Sequence, residues 1–265
     1  MRTLYREKRW FCGDYLEVDI YPVFKMQTGR SHRGKPTSEV QAKLNDHNAE
    51  RKLVRLLNAN FTRDDYEIHF TYTDGNLPGD DTQAKKDIQN FLRRARRLYK
   101  AAGAELKYVA VTEGGIGGTR YHHHVTMSGE VDRCELEALW GYGYVNSRRL
   151  QFNEYGVEGL AMYITKQFRT HRDELLFKKR WSCSRNLIRP EPKERDGKLS
   201  YRRVRDLATI ESGSRESFEK LYEGYTFAAC RPFYNDMNGG YYITVLMYRT
   251  GISFSNARKR ERMRS

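Results

Sequence analysis

Two runs of alternating side chains, joined by a glycine-rich stretch, constrain this chain more than any other feature. Residues 106–113 (LKYVAVTE) alternate apolar with polar types, residues 114–118 (GGIGG) interrupt them, and residues 120–127 (RYHHHVTM) resume the run. Alternation at period 2 marks a half-buried strand. Glycine between two such runs marks a flexible hairpin connection. The glycines do not build a phosphate loop: no GxxxxGK[ST] pattern occurs here or elsewhere, so the chain shows no sign of its own ATPase or helicase.

On a strand, residues i and i+2 share a face. His122 and His124 therefore project together and His123 points the opposite way. Two adjacent imidazoles suit a divalent metal. Hairpin pairing brings Glu113 beside them as the expected third ligand. Two histidines and a carboxylate leave open positions for a phosphate oxygen and water. An HxH alone is a weak signal, and its place behind a Glu–Gly-rich hairpin strengthens it. Downstream, residues 156–168 read as a helix on which Tyr163 and Lys166, at i and i+3, share a face. A tyrosine of ordinary pKa near 10 is a poor nucleophile unless a nearby cation favours its phenolate. Lys166 offers that cation, or neutralises charge on a phosphate.

The rest of the chain supplies context. The net charge of +14, from 48 Lys+Arg against 34 Asp+Glu, points to an anionic partner, most plausibly nucleic acid. No apolar run approaches the roughly 20 residues of a membrane span, and none follows the N-terminus as a signal peptide would. Cys12, Cys134, Cys183 and Cys230 are widely spaced, which fits a reducing compartment. A cytoplasmic location without a membrane is expected. Leu16, Val18 and Ile20 alternate as a strand, the polar residues 27–38 read as a loop, and Thr37 or Ser38 caps a helix to about Asn58. The apolar face of that helix is expected from Val40, Leu44, Leu53, Val54, Leu56 and Leu57. Residues 66–73 form a strand in which His69 reads as structural rather than as a ligand. Residues 82–102 form the clearest helix, with Ile88, Phe91, Leu92, Ala95 and Tyr99 toward the core and Arg93 and Arg97 among its surface cations. Residues 132–140 and 216–222 read as helices, and 143–152 and 240–248 as strands. Residues 169–206 are strongly basic, and Lys179, Arg180, Trp181 and Arg185 interleave cations with an aromatic ring, a mixture that clamps phosphates and stacks bases. Arg120, at the start of the histidine strand, is a further expected DNA contact. The tail 251–265 is basic and expected to be disordered.

With these residues in view the chain resembles rolling-circle replication initiators, the Rep proteins of the HUH endonuclease superfamily found in bacterial phages, plasmids and integrative elements. Phe70-Thr71-Tyr72-Thr73 is similar to the family's first motif, His122-His123-His124 to its His-x-His motif, and Tyr163-Ile164-Thr165-Lys166 to its Tyr-x-x-Lys motif. Residues 17–22, 60–61 and 179–182 also resemble such proteins, so the likeness spans about 10–250. Two departures stand out. His123 replaces the usual bulky apolar residue, and Gln167 occupies the place where some members carry a second catalytic tyrosine.

The resemblance implies an α+β fold with a central antiparallel sheet of about five strands and flanking helices. It implies a sheet-carrying endonuclease region over 61–250, an N-terminal strand and helix over 1–60 that complete the sheet or stand apart, and a tail from 251. It implies Mg²⁺ or Mn²⁺ on Glu113, His122 and His124, with Tyr163 nicking single-stranded or hairpin origin DNA through a 5′-phosphotyrosine. A host DNA polymerase would extend the freed 3′-OH and a host helicase would unwind the duplex. Closure by one tyrosine would need a second subunit of a homo-oligomer or a reversed attack. A transposase or relaxase of the same superfamily, a non-catalytic nucleic-acid-binding protein and an RNA substrate stay open at this point.

Overall fold

A computed structural model describes residues 4–24, 39–117, 119–170, 180–209 and 214–254. Among them the elements are β1 (Leu4–Cys12), β2 (Tyr15–Val23), α1 (Glu39–Asn60), β3 (Tyr66–Phe70), α2 (Asp81–Ala101), β4 (Tyr108–Glu113), β5 (His122–Met127), α3 (Arg133–Ala138) and β6 (Val145–Arg149). They continue with α4 (Glu158–Ile164), α5 (Lys166–Thr170), β7 (Ser182–Cys183), β8 (Lys193–Asp196), α6 (Tyr201–Thr209), α7 (Ser214–Leu221), β9 (Tyr225–Asn235) and β10 (Gly240–Arg249). The fold is α+β, with two five-stranded antiparallel sheets. The expected loop at 27–38 with its Thr37 or Ser38 cap, Lys179, and the tail from 255 lie outside the described residues.

The chain forms two compact units. One comprises residues 40–151 and 157–188 and holds the histidine sheet, in the order β6-β3-β5-β4-β7. Tyr66, Ile68 and Phe70 of β3 and Val125 and Met127 of β5 face α2, whose Ile88, Phe91, Leu92, Ala95 and Tyr99 close one core around the fully buried Trp140. The helix begins where Asp80 accepts a hydrogen bond from the Gln83 amide at 2.8 Å, satisfying a first-turn donor that has no partner within the helix. Leu53, Leu56 and Leu57 of α1 are buried as expected, whereas Leu44 is exposed.

The other unit comprises residues 1–39, 152–156 and 189–265 and holds the second sheet, in the order β8-β1-β2-β10-β9. Leu16, Val18, Ile20, Ile243, Val245 and Met247 pack there against Val204 and Leu207 of α6 and Phe218 of α7. The expected late strand is present as β10, but it pairs with β2 and does not extend the histidine sheet. The expected limits at 60 and 250 run continuously along the chain, while the observed units interleave, because a strand near one terminus pairs with a strand near the other. The strands β1, β8 and β9 and the helix α6 escaped the sequence reading. In β1 the alternation is disguised by charge. Arg6 and Lys8 are ion-paired across the sheet to Asp196 at 2.7 Å and Glu194 at 2.6 Å of β8, so their polarity reflects a charged strand pair rather than a loop.

Candidate metal centre

Register places the chemistry. In the antiparallel pairs His69 lies opposite His124, Glu113 opposite His122, His69 opposite Asn146 and Glu67 opposite Arg148. Directly opposed side chains share a face. Glu67, His69, Glu113, His122, His124, Asn146 and Arg148 therefore occupy the sheet face away from α2.

On that face one ligand nitrogen from each of His69, His122 and His124 lies within 4.8 Å of the others. The His69 ring stacks on His124 at 4.5 Å and meets His122 edge-on at 5.2 Å. His122 contacts the Arg120 carbonyl through Nδ1 at 2.9 Å and Glu113 Oε2 through Nε2 at 3.1 Å. The sequence reading set His69 aside as structural; the fold brings it into the group. That reading also assigned the third ligand position to Glu113, which stands against His122 while His69 completes the triad.

Whether these residues fit a metal is answered by their unmet bonding. His69 Nε2, both nitrogens of His124 and Glu113 Oε1 are buried without a hydrogen-bond partner among the described residues. Each such group costs about 1–3 kcal/mol when left unsatisfied. Four converging on one point form a site that a divalent cation would relieve. Protonation agrees. Burial lowers the pKa of His69, helped by His122, and lowers that of His124 to about 3, helped by His69 and His122. Both imidazoles are thus neutral, the form that binds metal. Burial also depresses His122, but its bonds to Glu113 and the Arg120 carbonyl outweigh burial and raise its pKa.

His123 is the bystander that strand alternation requires. It is 0% exposed on the α2 side, with Nε2 2.8 Å from the Tyr72 hydroxyl and Nδ1 2.9 Å from Thr112 Oγ1. The Tyr72 hydroxyl reaches on to the buried Asp87 at 3.3 Å. Burial lowers the His123 pKa to about 3, with the neighbouring His122 and His124 adding to the effect, so a neutral ring sits within a polar network beneath the metal face.

Tyr163 reaches this centre from α4. Its ring lies 5.3 Å from the His124 ring and is 57% exposed. The two line a cleft of about 350 Å³ with Glu67, His69, Asn146 and Arg148. Arg148 is held in place by Glu67, whose Oε2 accepts from its Nε and lies 2.7 Å from its terminal nitrogen. Neither Arg148 nor Glu67 was singled out from sequence. Their only trace there is a charge on each of two strands whose pairing the sequence does not show. The expected single helix over 156–168 is instead two short helices broken at Thr165, whose hydroxyl donates back to the Ala161 carbonyl at 2.7 Å. The shared helical face expected for Tyr163 and Lys166 rests on an unbroken helix. Lys166 is exposed at the start of α5, and the cation lining the cleft beside Tyr163 is Arg148. Gln167, at the second-tyrosine place, grips Gly114 instead, accepting from its amide at 3.0 Å and donating to its carbonyl at 3.3 Å.

The expected DNA contacts are scattered. Arg93 and Arg97 are exposed on α2, which covers the opposite side of the sheet. Arg120 bonds to Asp74 and to the Tyr72 carbonyl. Arg180 pairs with Asp46 and lies over the Phe168 ring, Trp181 is half-buried and Arg185 is exposed.

Residues 65–168 match the family model of the replication-associated protein ORF2. The matched segment runs from β3 to α5 and contains Glu113, all the histidines of the metal face, Tyr163 and Lys166. The match supports a rolling-circle replication initiator role for this chain and, with it, binding of origin DNA. Searches of curated proteins and of solved structures gave no match. No helix among the described residues is long and apolar enough to cross a membrane.

Proposed function

We propose that this protein is a metal-dependent single-strand DNA endonuclease and strand transferase that nicks a replication origin through a 5′-phosphotyrosine. The observation that carries the reading is the group of buried, unpartnered ligand atoms opening onto a cleft shared with Tyr163. His69, His122 and His124 would hold the cation, with Glu113 as a fourth ligand or as the partner that orients His122. An imidazole-rich set favours Mn²⁺ over Mg²⁺, which takes oxygen ligands. Bound there, the cation supplies a Lewis acid for a non-bridging phosphate oxygen.

The chain's own residues do the rest. Tyr163 Oη, losing its proton, attacks phosphorus; the P–O3′ bond breaks, and the 3′ oxygen leaves as a hydroxyl after gaining a proton. The 5′ phosphate remains on Tyr163. Arg148, pinned by Glu67, stabilises the phenolate and the charge that builds on phosphorus. Lys166, exposed at the start of α5, neutralises backbone phosphates of the incoming strand. A host polymerase extends the 3′-OH and a host helicase unwinds the duplex. With Gln167 bonded to Gly114, the closing transfer falls to a second subunit or to reversal at Tyr163.

The test is a nicking assay on single-stranded origin DNA with Mn²⁺. The wild-type protein is expected to cleave and to form a covalent adduct mapping to Tyr163, and Tyr163→Phe to do neither. Equal cleavage by the two proteins, with no adduct, would overturn the reading.

A further inference from the structure

A second cavity, of about 310 Å³, opens on the side of β4 away from the histidines. Ala110, Thr112 and Gly114 line it, the residues that alternate with Glu113. Its volume is at the lower end of the roughly 300–1,000 Å³ typical of small-ligand sites. Trp181, Phe168 and Ile88 supply aromatic and apolar walls. Lys85 and Gln89, one turn apart on α2, stand at it, both exposed and neither hydrogen-bonded nor ion-paired among the described residues. A flat ring with a polar edge suits such walls and such donors, and a nucleobase is that ligand.

The cavity's place narrows the source. Gly114 follows Glu113 directly, and Gln167 lies four residues after Tyr163 while both lining the cavity and gripping Gly114. The cavity is therefore tied by one residue to the metal face and by about one turn of chain to the nucleophile. We infer that it receives an unpaired base of the DNA strand beside the scissile phosphate, stacked on Trp181 and contacted at its edge by Gln89 and Lys85. The inference rests on the proposed single-stranded DNA substrate, in which a base is least costly to turn outward because it is not paired. It assigns base selection near the nick to α2 and the segment before β7, apart from the residues that perform the cleavage.

The test uses the full-length Tyr163→Phe protein, which keeps the DNA intact, and single strands of dT, dC and dA with abasic strands of the same length as controls. At least one base-bearing strand is expected to bind roughly tenfold tighter than its abasic control, the scale of stacking one base on an aromatic ring. That gain should vanish with Trp181→Ala, persist with Trp181→Phe and fall with Gln89→Ala. Binding should also quench Trp181 fluorescence, a signal separable from the buried Trp10 and Trp140. An abasic penalty unchanged by Trp181→Ala, or none for any strand, overturns the inference. So does equally strong quenching by free deoxynucleoside monophosphates, which would make the cavity a nucleotide site. Loss of the base effect with Mn²⁺-dependent nicking intact sinks this inference alone, whereas nicking by Tyr163→Phe sinks the reading on which it rests.

Discussion

Three consecutive histidines should behave in two opposite ways when each is replaced by leucine. His123→Leu removes two hydrogen bonds made at full burial, to the Tyr72 hydroxyl at 2.8 Å and to Thr112 Oγ1 at 2.9 Å. Each is worth about 1 kcal/mol net, and the Tyr72 hydroxyl, itself buried, keeps only the longer contact to Asp87 at 3.3 Å. A loss of about 2–3 kcal/mol follows, a large share of the roughly 5–15 kcal/mol that stabilises a domain. Mn²⁺ binding should survive, because His123 lies on the other face of β5. His124→Leu should do the reverse. It breaks no hydrogen bond among the described residues and removes two buried unpartnered nitrogens, so metal-free stability should hold or rise by up to about 1 kcal/mol. Mn²⁺ affinity should fall by more than the roughly 10–100-fold that loss of a ligand's supporting partner costs. Urea denaturation in EDTA and calorimetric titration with Mn²⁺ measure the two quantities. If His123→Leu abolishes metal binding in a folded protein, or His124→Leu destabilises the metal-free protein as much as His123→Leu, the division of roles between alternate residues is wrong.

Other substitutions probe the surrounding parts. Arg148→Ala should slow nicking by about 10²–10³-fold while leaving Mn²⁺ affinity intact, and Arg148→Lys should recover only part of the rate because it lacks the fork that Glu67 holds. Unchanged single-turnover rates would remove Arg148 from the chemistry. Gln167→Ala frees both backbone groups of Gly114 and loosens Glu113 beside them, so Mn²⁺ affinity should drop by about tenfold with little loss of melting temperature; an unchanged titration would separate Gln167 from the centre. Gly114→Ala should cost more than about 1 kcal/mol in a thermal melt. The residue sits at φ +112, and an added Cβ would lie 2.5 Å from the Arg120 carbonyl oxygen, backbone that cannot swing aside. A melt identical to wild type would contradict the hairpin geometry.

What a sequence shows is local. The hairpin around the glycines, the paired projection of His122 and His124, the opposite projection of His123, the capped amphipathic α2 and the nearby Tyr163 follow from periods of 2 and 3.6 and from turn chemistry, which depend on residues a few positions apart. The α+β class follows from the same patterns, and the basic charge points to DNA without any contact being known. The tertiary structure decided what depends on pairing between distant strands. His69 became a member of the metal group because β3 lies beside β5 in a register that sets it opposite His124, and nothing within β3 distinguishes that outcome from a structural histidine. Glu67 and Arg148 met because β3 also pairs with β6, placing a carboxylate opposite a guanidinium 81 positions away. The late strand joined the N-terminal strand rather than the histidine sheet for the same reason: strand partners are chosen by complementary faces and by chain entropy over the whole fold, and that choice leaves no mark on either strand alone. The helix over 156–168 broke because the Thr165 hydroxyl bonds the Ala161 carbonyl, a competition that the apolar spacing did not reveal. The chemistry-bearing residues were thus legible one strand at a time, and their assembly into a centre was the work of register.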